Sequence, residues 1–466
     1  MIIDFIIEDL MLNSYLQKNF HTLMNNWIQE KLLPKILWFV NTRPVTAVKE
    51  GIIYTIPLII VGSVALILSN FPVPAVVAFL SDHGLIDILN QAYMATFNIN
   101  AIIAVLGISY QYILMEKQEP LGGAVIALGS FLIFQPSSVS VTNDAGEVIG
   151  TVSNVINRTW TAGQGMIGAI ICGLLVGYIY SWFLKKNIRI KMPAGVPVGV
   201  TNAFSALVPA FVIISGATVL HGVCDIAAGT TVIEQIYSII QIPLQGLTDS
   251  FGAIIIYAFI VSFLWFFGVH GATIMSGIMQ GILQANYLDN QAILDTGLEL
   301  TKANGGHIVT QQFIELFVTA TGSGITIGIV LYMVALAKSK QFKALGKISV
   351  VPGIFNINEP ILFGLPIVMN PLMAVPFILT PIVVGIIEYV AIAAGLCPMY
   401  SGVYVPWTTP PIISGLIAGG WRTALLQVVM LVVSFVIYLP FVRKLDLAAL
   451  ENEKAAAESE DDDEDW

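Results

Sequence analysis

The sequence predicts an all-α integral membrane protein with about ten transmembrane helices and one or two short re-entrant pieces. Three observations carry that prediction. Of the 466 residues, 56% are hydrophobic and only 11% charged, against roughly a quarter charged in a soluble domain. Apolar runs of about twenty residues, the length a helix needs to cross hydrocarbon, recur from 51 to 440 with the internal Gly and Pro common in membrane helices. The runs are continuous, whereas barrel strands are ~10-residue segments of alternating polarity.

Taken in order, residues 1–50 set Phe20, Leu23, Trp27, Ile28 and Leu32 against Lys31, Lys35, Arg43 and Lys49. This is the pattern of amphipathic helices on the membrane face, or of a soluble helical lid. Asp4, Glu8 and Asp9 stand where a secretory signal has its basic region, so the first span is expected to direct insertion. Spans are expected over 51–69, 93–115, 121–135, 163–184 and 202–223, with an external loop or hairpin over 136–161. A broken amphipathic segment, 230–250, is expected to run along the surface as a link to the second half. There, spans are expected over 251–269, 310–337, 372–396 and 412–440. The glycine-punctuated stretch up to 304 reads as a re-entrant hairpin and a span whose division stays open. Basic clusters (Lys185, Lys186, Arg189 and Lys191; 31–49; 338–347; Arg443 and Lys444) assign their loops, and both termini, to the cytoplasm by the positive-inside rule.

The stretch IFNINEPILFGLPIVMN, residues 354–370, places one carboxylate, Glu359, between asparagines and prolines inside an apolar run. A charge at the centre of a membrane helix costs ~2.5 kcal/mol or more, so it normally faces a partner, a cavity or a substrate. Pro360, Gly364 and Pro366 also interrupt the helical pattern, and irregular backbone at membrane depth survives where it is buried in protein or lines a water-filled cavity. The segment therefore reads as a re-entrant binding element. By contrast, the net charge of −10 owes much to one run, Glu458 to Asp465, so 446–466 is expected to be a disordered acidic tail. Cys172, Cys224 and Cys397 lie in or beside apolar spans without metal-ligand spacing and read as small core residues. His221 and His307 read as structural, and Glu388 either lines the solute path or pairs with a buried partner.

Four motifs, in this order and spacing, carry a family resemblance: GVHG at 268–271, KALGK at 343–347, PGIFNINEPILFGLP at 352–366 and VPWTTPP at 405–411. The chain resembles enzyme IIC of the phosphoenolpyruvate-dependent sugar phosphotransferase system, of the lactose/cellobiose/diacetylchitobiose type, over about 31–445. The resemblance implies an N-terminal half (51–229) of five spans that forms a homodimer, and a C-terminal half (251–445) whose two re-entrant hairpins hold the sugar. It places His270 and Glu359 near the sugar 6-hydroxyl and Trp407 against the sugar face. It also implies a bacterial cell membrane location. The sequence departs from the family after His270, through 271–304 and at Gln311 and Gln312.

A sugar inside a membrane needs polar partners for its hydroxyls and an apolar surface for its C–H face. Glu359, Asn356, Asn358 and Gln311 offer the first and Trp407 the second. Phosphorylating a 6-hydroxyl also needs an acceptor for its proton, and a histidine titrates near neutrality; His270 and Glu359 are the catalytic candidates. Each has a plainer reading. Asn356 and Asn358 could cap a helix opened by Pro360, His270 could be a structural hydrogen-bonder, and Trp407 an interfacial belt residue. No polar cysteine loop or soluble domain is present to carry a phosphoryl group, so separate IIB and IIA chains are expected, and no metal or organic cofactor. The favoured substrate is a β-linked disaccharide such as cellobiose or diacetylchitobiose. An ion-coupled secondary sugar transporter and a non-transporting receptor are the other classes, the first separated by whether uptake yields sugar phosphate, the second by a lack of saturable sugar binding.

Overall fold

The computed structural model describes residues 33–69, 74–142, 148–365, 367, 368 and 370–464. Most of the amphipathic pattern expected at the N-terminus therefore lies outside the described residues. Six helices are long and apolar enough to cross a membrane: Arg43–Leu66, Leu85–Met115, Gly163–Lys185, Val198–Ala228, Leu372–Ala393 and Ile413–Ala455. A seventh would be the pair Val232–Thr248 and Phe251–Phe266, bent by 73°. The other apolar stretches do not form long apolar helices. The run expected at 121–135 is a 14-residue helix, Pro120–Ile133. That expected at 310–337 is broken throughout its middle.

Among the described residues, apolar side chains gather into two large cores and a small cluster at Phe266 and Phe267. One contains Ile52, Phe97, Val105, Ile108, Phe131, Val176 and Tyr180 from the first half. The other contains Tyr257, Trp265, Phe313, Phe317, Met373, Phe377 and Tyr438 from the second. The helix Gly271–Asp295 serves both, with Met275 and Leu283 in the second core and Ala285, Tyr287 and Leu288 in the first. The uncertain stretch after His270 is thus one 25-residue helix that forms the seam.

In the first half the backbone is mostly continuous helix. A β-hairpin, Ser138–Thr142 against Val148–Ser153, fills the polar loop. Glu116, 8% exposed, accepts from Arg43 at 2.8 Å and pairs with Lys185, which draws two of the basic clusters together. The link runs between the two halves as the helices Val232–Ile236 and Ile242–Thr248 joined by a π-turn. Thr231 and Glu234 form a capping box, and one face is buried, with Gln241 donating to the Gly163 carbonyl at 3.0 Å. Its inward face is largely polar, with Gln241 and Gln245 buried, while Ile239 and Leu247 are 67% and 70% exposed.

The second half is interrupted where the apolar pattern suggested plain spans. Residues 311–318 form a short helix that runs into a π-turn, Ile314–Val318. Non-helical backbone follows, with positive φ at Thr321, Gly322, Gly324 and Ile325. A Cβ at Gly322 (φ 87°) would fall on the Asn358 amide, so glycine is required there by both backbone and space. The last helix breaks at Gly419 and Gly420. There the chain doubles back, so that Gln427 Oε1 accepts from the N–H groups of Ile412 at 2.6 Å and Gly415 at 2.8 Å.

The acidic tail is a correction. Helix continues to Glu464, and Asp446 is fully buried. Asp446 accepts from Tyr332 Oη at 3.0 Å and from the N–H groups of Lys338 and Ser339 at 2.8 and 3.0 Å. Two turns further out, Glu453 accepts from the N–H groups of Lys340 and Gln341, both at 2.9 Å. Two carboxylates thus satisfy the N-terminus of the helix Lys340–Ile354, where free N–H groups and the helix dipole favour anions. Net charge alone could not show that these acids have an assigned partner.

Candidate functional site

A cavity of about 360 Å³ opens in the second half, walled by His270, Gln311, Glu315, Asn356, Asn358, Glu359 and Trp407 among others. All six residues singled out from the sequence reach it, from four separate segments. The helix Phe251–Phe266 brings Tyr257 and Trp265, and the chain then turns at Gly268 (φ 79°) to present His270.

His270 stands at the N-terminus of the helix Gly271–Asp295, and its Nδ1 accepts the Thr273 N–H at 3.2 Å. Thr273 Oγ1 lies 2.9 Å from the same nitrogen. A ring nitrogen that accepts an amide N–H carries no proton, so the neutral ring holds its proton on Nε2. The Trp265 ring, 4.6 Å away between centroids, fixes the imidazole from the side. His270 is therefore both a helix cap and a donor, and the structural and functional readings do not compete.

Glu359 opens the short helix Glu359–Gly364. It is exposed and lines the open cavity. The π-turn and the loop after it supply Ile314, Glu315, Thr319 and Ser323 to the same cavity, a tertiary arrangement that the apolar sequence around Glu359 does not reveal. Its carboxylate has no hydrogen bond or ion pair among the described residues, and it acts electrostatically on the His270 ring.

Asn356 and Asn358 line the cavity, but their amides are spent largely on backbone. Asn356, at φ 65°, accepts the Thr321 N–H at 2.7 Å and donates to the carbonyls of Trp407 at 2.5 Å and Thr409 at 2.9 Å. Asn358 donates to the Ser323 carbonyl at 2.8 Å and makes no side-chain cap to the helix it precedes. The helix-cap alternative is therefore not what is observed. Both asparagines tie the 319–323 and 407–409 loops to the Glu359 segment, and Trp407, 51% exposed, is held with its ring at the cavity.

Gln311 donates to Glu315 Oε1 at 2.6 Å. Glu315 is a residue the sequence reading passed over. It also accepts from Tyr404 Oη at 3.1 Å and from Gln312 at 3.4 Å, and it lines the cavity. The signal was available: it is a carboxylate within an apolar run, the same criterion that marked Glu359. Glu388, in contrast, is fully buried, accepts from Tyr400 Oη at 3.0 Å and does not reach the cavity. His307 stands in another network, with Nδ1 3.2 Å from Asp249. Among the described residues no group of three His, Cys, Asp or Glu side chains could hold a metal ion.

Membrane-crossing helices around a polar cavity that offers a carboxylate, an imidazole donor, amides and an indole face define a permease for a hydroxyl-rich solute. The chain belongs to the phosphotransferase system EIIC family, whose model matches residues 49–381, and within it is a sugar permease of the cellobiose/lactose type. It is 36% identical over 439 residues to the lichenan permease IIC component of Bacillus subtilis, covering 92% of this chain and 95% of that one. With the cellobiose-specific EIIC component of Geobacillus stearothermophilus the identity is 35% over 444 residues, covering 93% and 96%. The crystal structure of the transporter ChbC, the IIC component of the N,N'-diacetylchitobiose-specific phosphotransferase system, superposes with a TM-score of 0.85 at 34% identity, over 92% of this chain and 99% of that one.

Proposed function

We propose that this chain takes a β-linked disaccharide, such as cellobiose or diacetylchitobiose, into the cavity and releases it as a 6-phosphate, the phosphoryl group coming from a phosphocysteine on a separate IIB chain that IIA recharges. The observation that carries this is the convergence of His270, Glu359 and Trp407 on one polar cavity. In the transfer, the sugar 6-oxygen bonds to phosphorus as the S–P bond breaks, and the IIB thiolate leaves. The hydroxyl proton goes to Glu359, which is the free acceptor, while the His270 Nε2–H donates to a sugar oxygen and orients it. Trp407 stacks on the C–H face.

The finer architecture belongs to the same proposal. The interrupted segments around Thr321 and Gly420 are the tips of two re-entrant hairpins, which with the short apolar helices bring the crossings toward about ten. The half 51–229 pairs with a second copy; the exposed apolar side chains of the helix Val198–Ala228, among them Phe211 at 75% and Ile226 at 88%, suit a partner helix or lipid. Both termini lie in the cytoplasm of a bacterial cell, on the side where Arg43, Lys185 and Glu116 cluster.

The test is uptake of a radiolabelled disaccharide panel in cells carrying the matching IIA and IIB, with the internal product analysed for phosphate. Sugar phosphate formed only with IIB supports the reading. Free sugar accumulating without IIB would replace it with an ion-coupled carrier.

A further inference from the structure

A second cavity, of about 840 Å³, opens in the second half at the break in the last helix. Its walls come from the loop after the helix Gly271–Asp295, the C-terminal end of Leu372–Ala393 and residues 418–422 around the break. Gly395 and Gly420, at φ 72° and 74°, turn the chain there, and the space around both is open. The two cavities share no lining residue. From Arg422 the last helix runs to Asp446, which holds the N–H groups of Lys338 and Ser339. At 1.5 Å per residue that is about 36 Å, enough to cross the ~30 Å of a bilayer's hydrocarbon core. The cavity therefore lies at the face opposite the basic clusters 338–347, Arg443 and Lys444, the face that meets incoming sugar when those clusters are cytoplasmic.

Its polar groups are balanced and partly uncommitted. Lys302 pairs with Asp249, which also accepts the Ile308 and Val309 N–H groups at 2.8 and 2.7 Å. A fixed carboxylate thus positions the ammonium group, while the Lys302 side chain stays half-exposed. The Arg422 guanidinium and the Glu299 carboxylate make no hydrogen bond or ion pair among the described residues. One free cation and one free anion in the described lining leave no net charge to select an ionic ligand. They offer a donor and an acceptor together, and the Ser401 hydroxyl adds both, which suits a neutral polyol. Trp421, 67% exposed, gives a face for C–H groups, with the Arg422 guanidinium 5.6 Å from its ring centroid. The volume falls within the ~300–1,000 Å³ range of small-molecule sites. Resting on the reading of the first cavity as the disaccharide site, we propose that the second is a separate, outward-facing saccharide site for the same β-linked sugar. Trp421 stacks on a ring, and Arg422 and Glu299 bind its hydroxyls.

The test is equilibrium binding of radiolabelled cellobiose and diacetylchitobiose to the purified full chain, with the sites per chain counted. Trp421→Ala removes the stacking face, and Ala393→Trp, at an exposed lining position, fills the cavity without removing a polar contact. For the sugar that binds, we expect two sites per chain in the wild type. The second should weaken about tenfold or more in either variant, with affinity at the first kept within about twofold. One site per chain that survives both variants overturns the inference and leaves the reading of the first cavity standing. Two sites of which the second is unaltered in either variant, or both of which weaken together, also overturn it. One site abolished by both variants, or no binding at all, overturns the reading of the first cavity with it.

Discussion

The two halves solve the same problem, backbone polar groups in an apolar surrounding, in opposite ways. In the first, long helices such as Gly163–Lys185 and Val198–Ala228 satisfy their own ladders, and positive-φ residues such as Lys117, Asn154 and Asn187 fall in turns between elements. In the second, positive φ occurs at Thr321, Ile325, Asn356 and Ile412, where the ladder is broken. Side-chain amides take its place there. Gln312 accepts from the Val405 N–H at 2.9 Å and donates to its carbonyl at 3.2 Å, as a neighbouring strand would. Gln427 donates to the Leu316 carbonyl at 3.1 Å, and Asn356 ties three loops. Self-satisfied helix leaves little polar surface for a solute. Broken backbone held by amides can line a wet cavity, and the candidate site lies in the second half.

Substitutions in the two halves should therefore separate function from stability. The largest effect is expected from Glu359→Gln, which removes the proton acceptor from the cavity: IIB-dependent sugar phosphate formation should drop by ~10²–10⁴, with sugar binding weakened and the melting temperature of the detergent-solubilised protein little changed. Wild-type phosphorylation in that variant would remove Glu359 from the mechanism. Next comes Ile108→Ala, fully buried in the first core. It should cost about 2–5 kcal/mol of stability while sugar affinity in the surviving folded protein is unaltered; a selective loss of affinity would erase the distinction between the halves. Asn356→Ala frees the 321, 407 and 409 backbone groups, and at about 0.5–1.5 kcal/mol per hydrogen bond it should weaken sugar binding ~10-fold or more and expose the 319–323 loop to faster hydrogen exchange. Unchanged exchange in that loop would show that the clasp is dispensable. Smallest is Glu388→Gln, which keeps an acceptor for Tyr400: a stability change within about 1.5 kcal/mol and unaltered sugar affinity, measured by titration, would set this carboxylate apart from Glu359. A large loss of affinity would instead make it part of the solute path.

The candidate site was partly legible because a charge in an apolar run is a local anomaly. Glu359 announced itself that way, and GVHG and VPWTTPP supplied His270 and Trp407 through resemblance. Glu315 carried the same anomaly but sat in a stretch long enough to pass for a span, so its charge was absorbed into a helix that does not exist. The roles of Asn356 and Asn358 were not legible, because their hydrogen-bond partners lie about 35 and 50 residues away in sequence. The acidic tail shows the same limit: composition marked 446–466 as solvated, whereas Asp446 is buried at the N-terminus of a helix that starts over a hundred residues earlier.

By itself the sequence determined that the chain is helical and lives in a bilayer, since apolar run length and charge scarcity act residue by residue. It also determined which residue types could meet a sugar. Tertiary structure alone decided which runs are broken, that one helix serves both cores, that the His270 ring is held as a donor by Thr273, and that a second cavity opens at the break in the last helix. Those outcomes depend on which distant group satisfies each freed N–H and C=O, and no local pattern specifies a partner that is brought near only by folding.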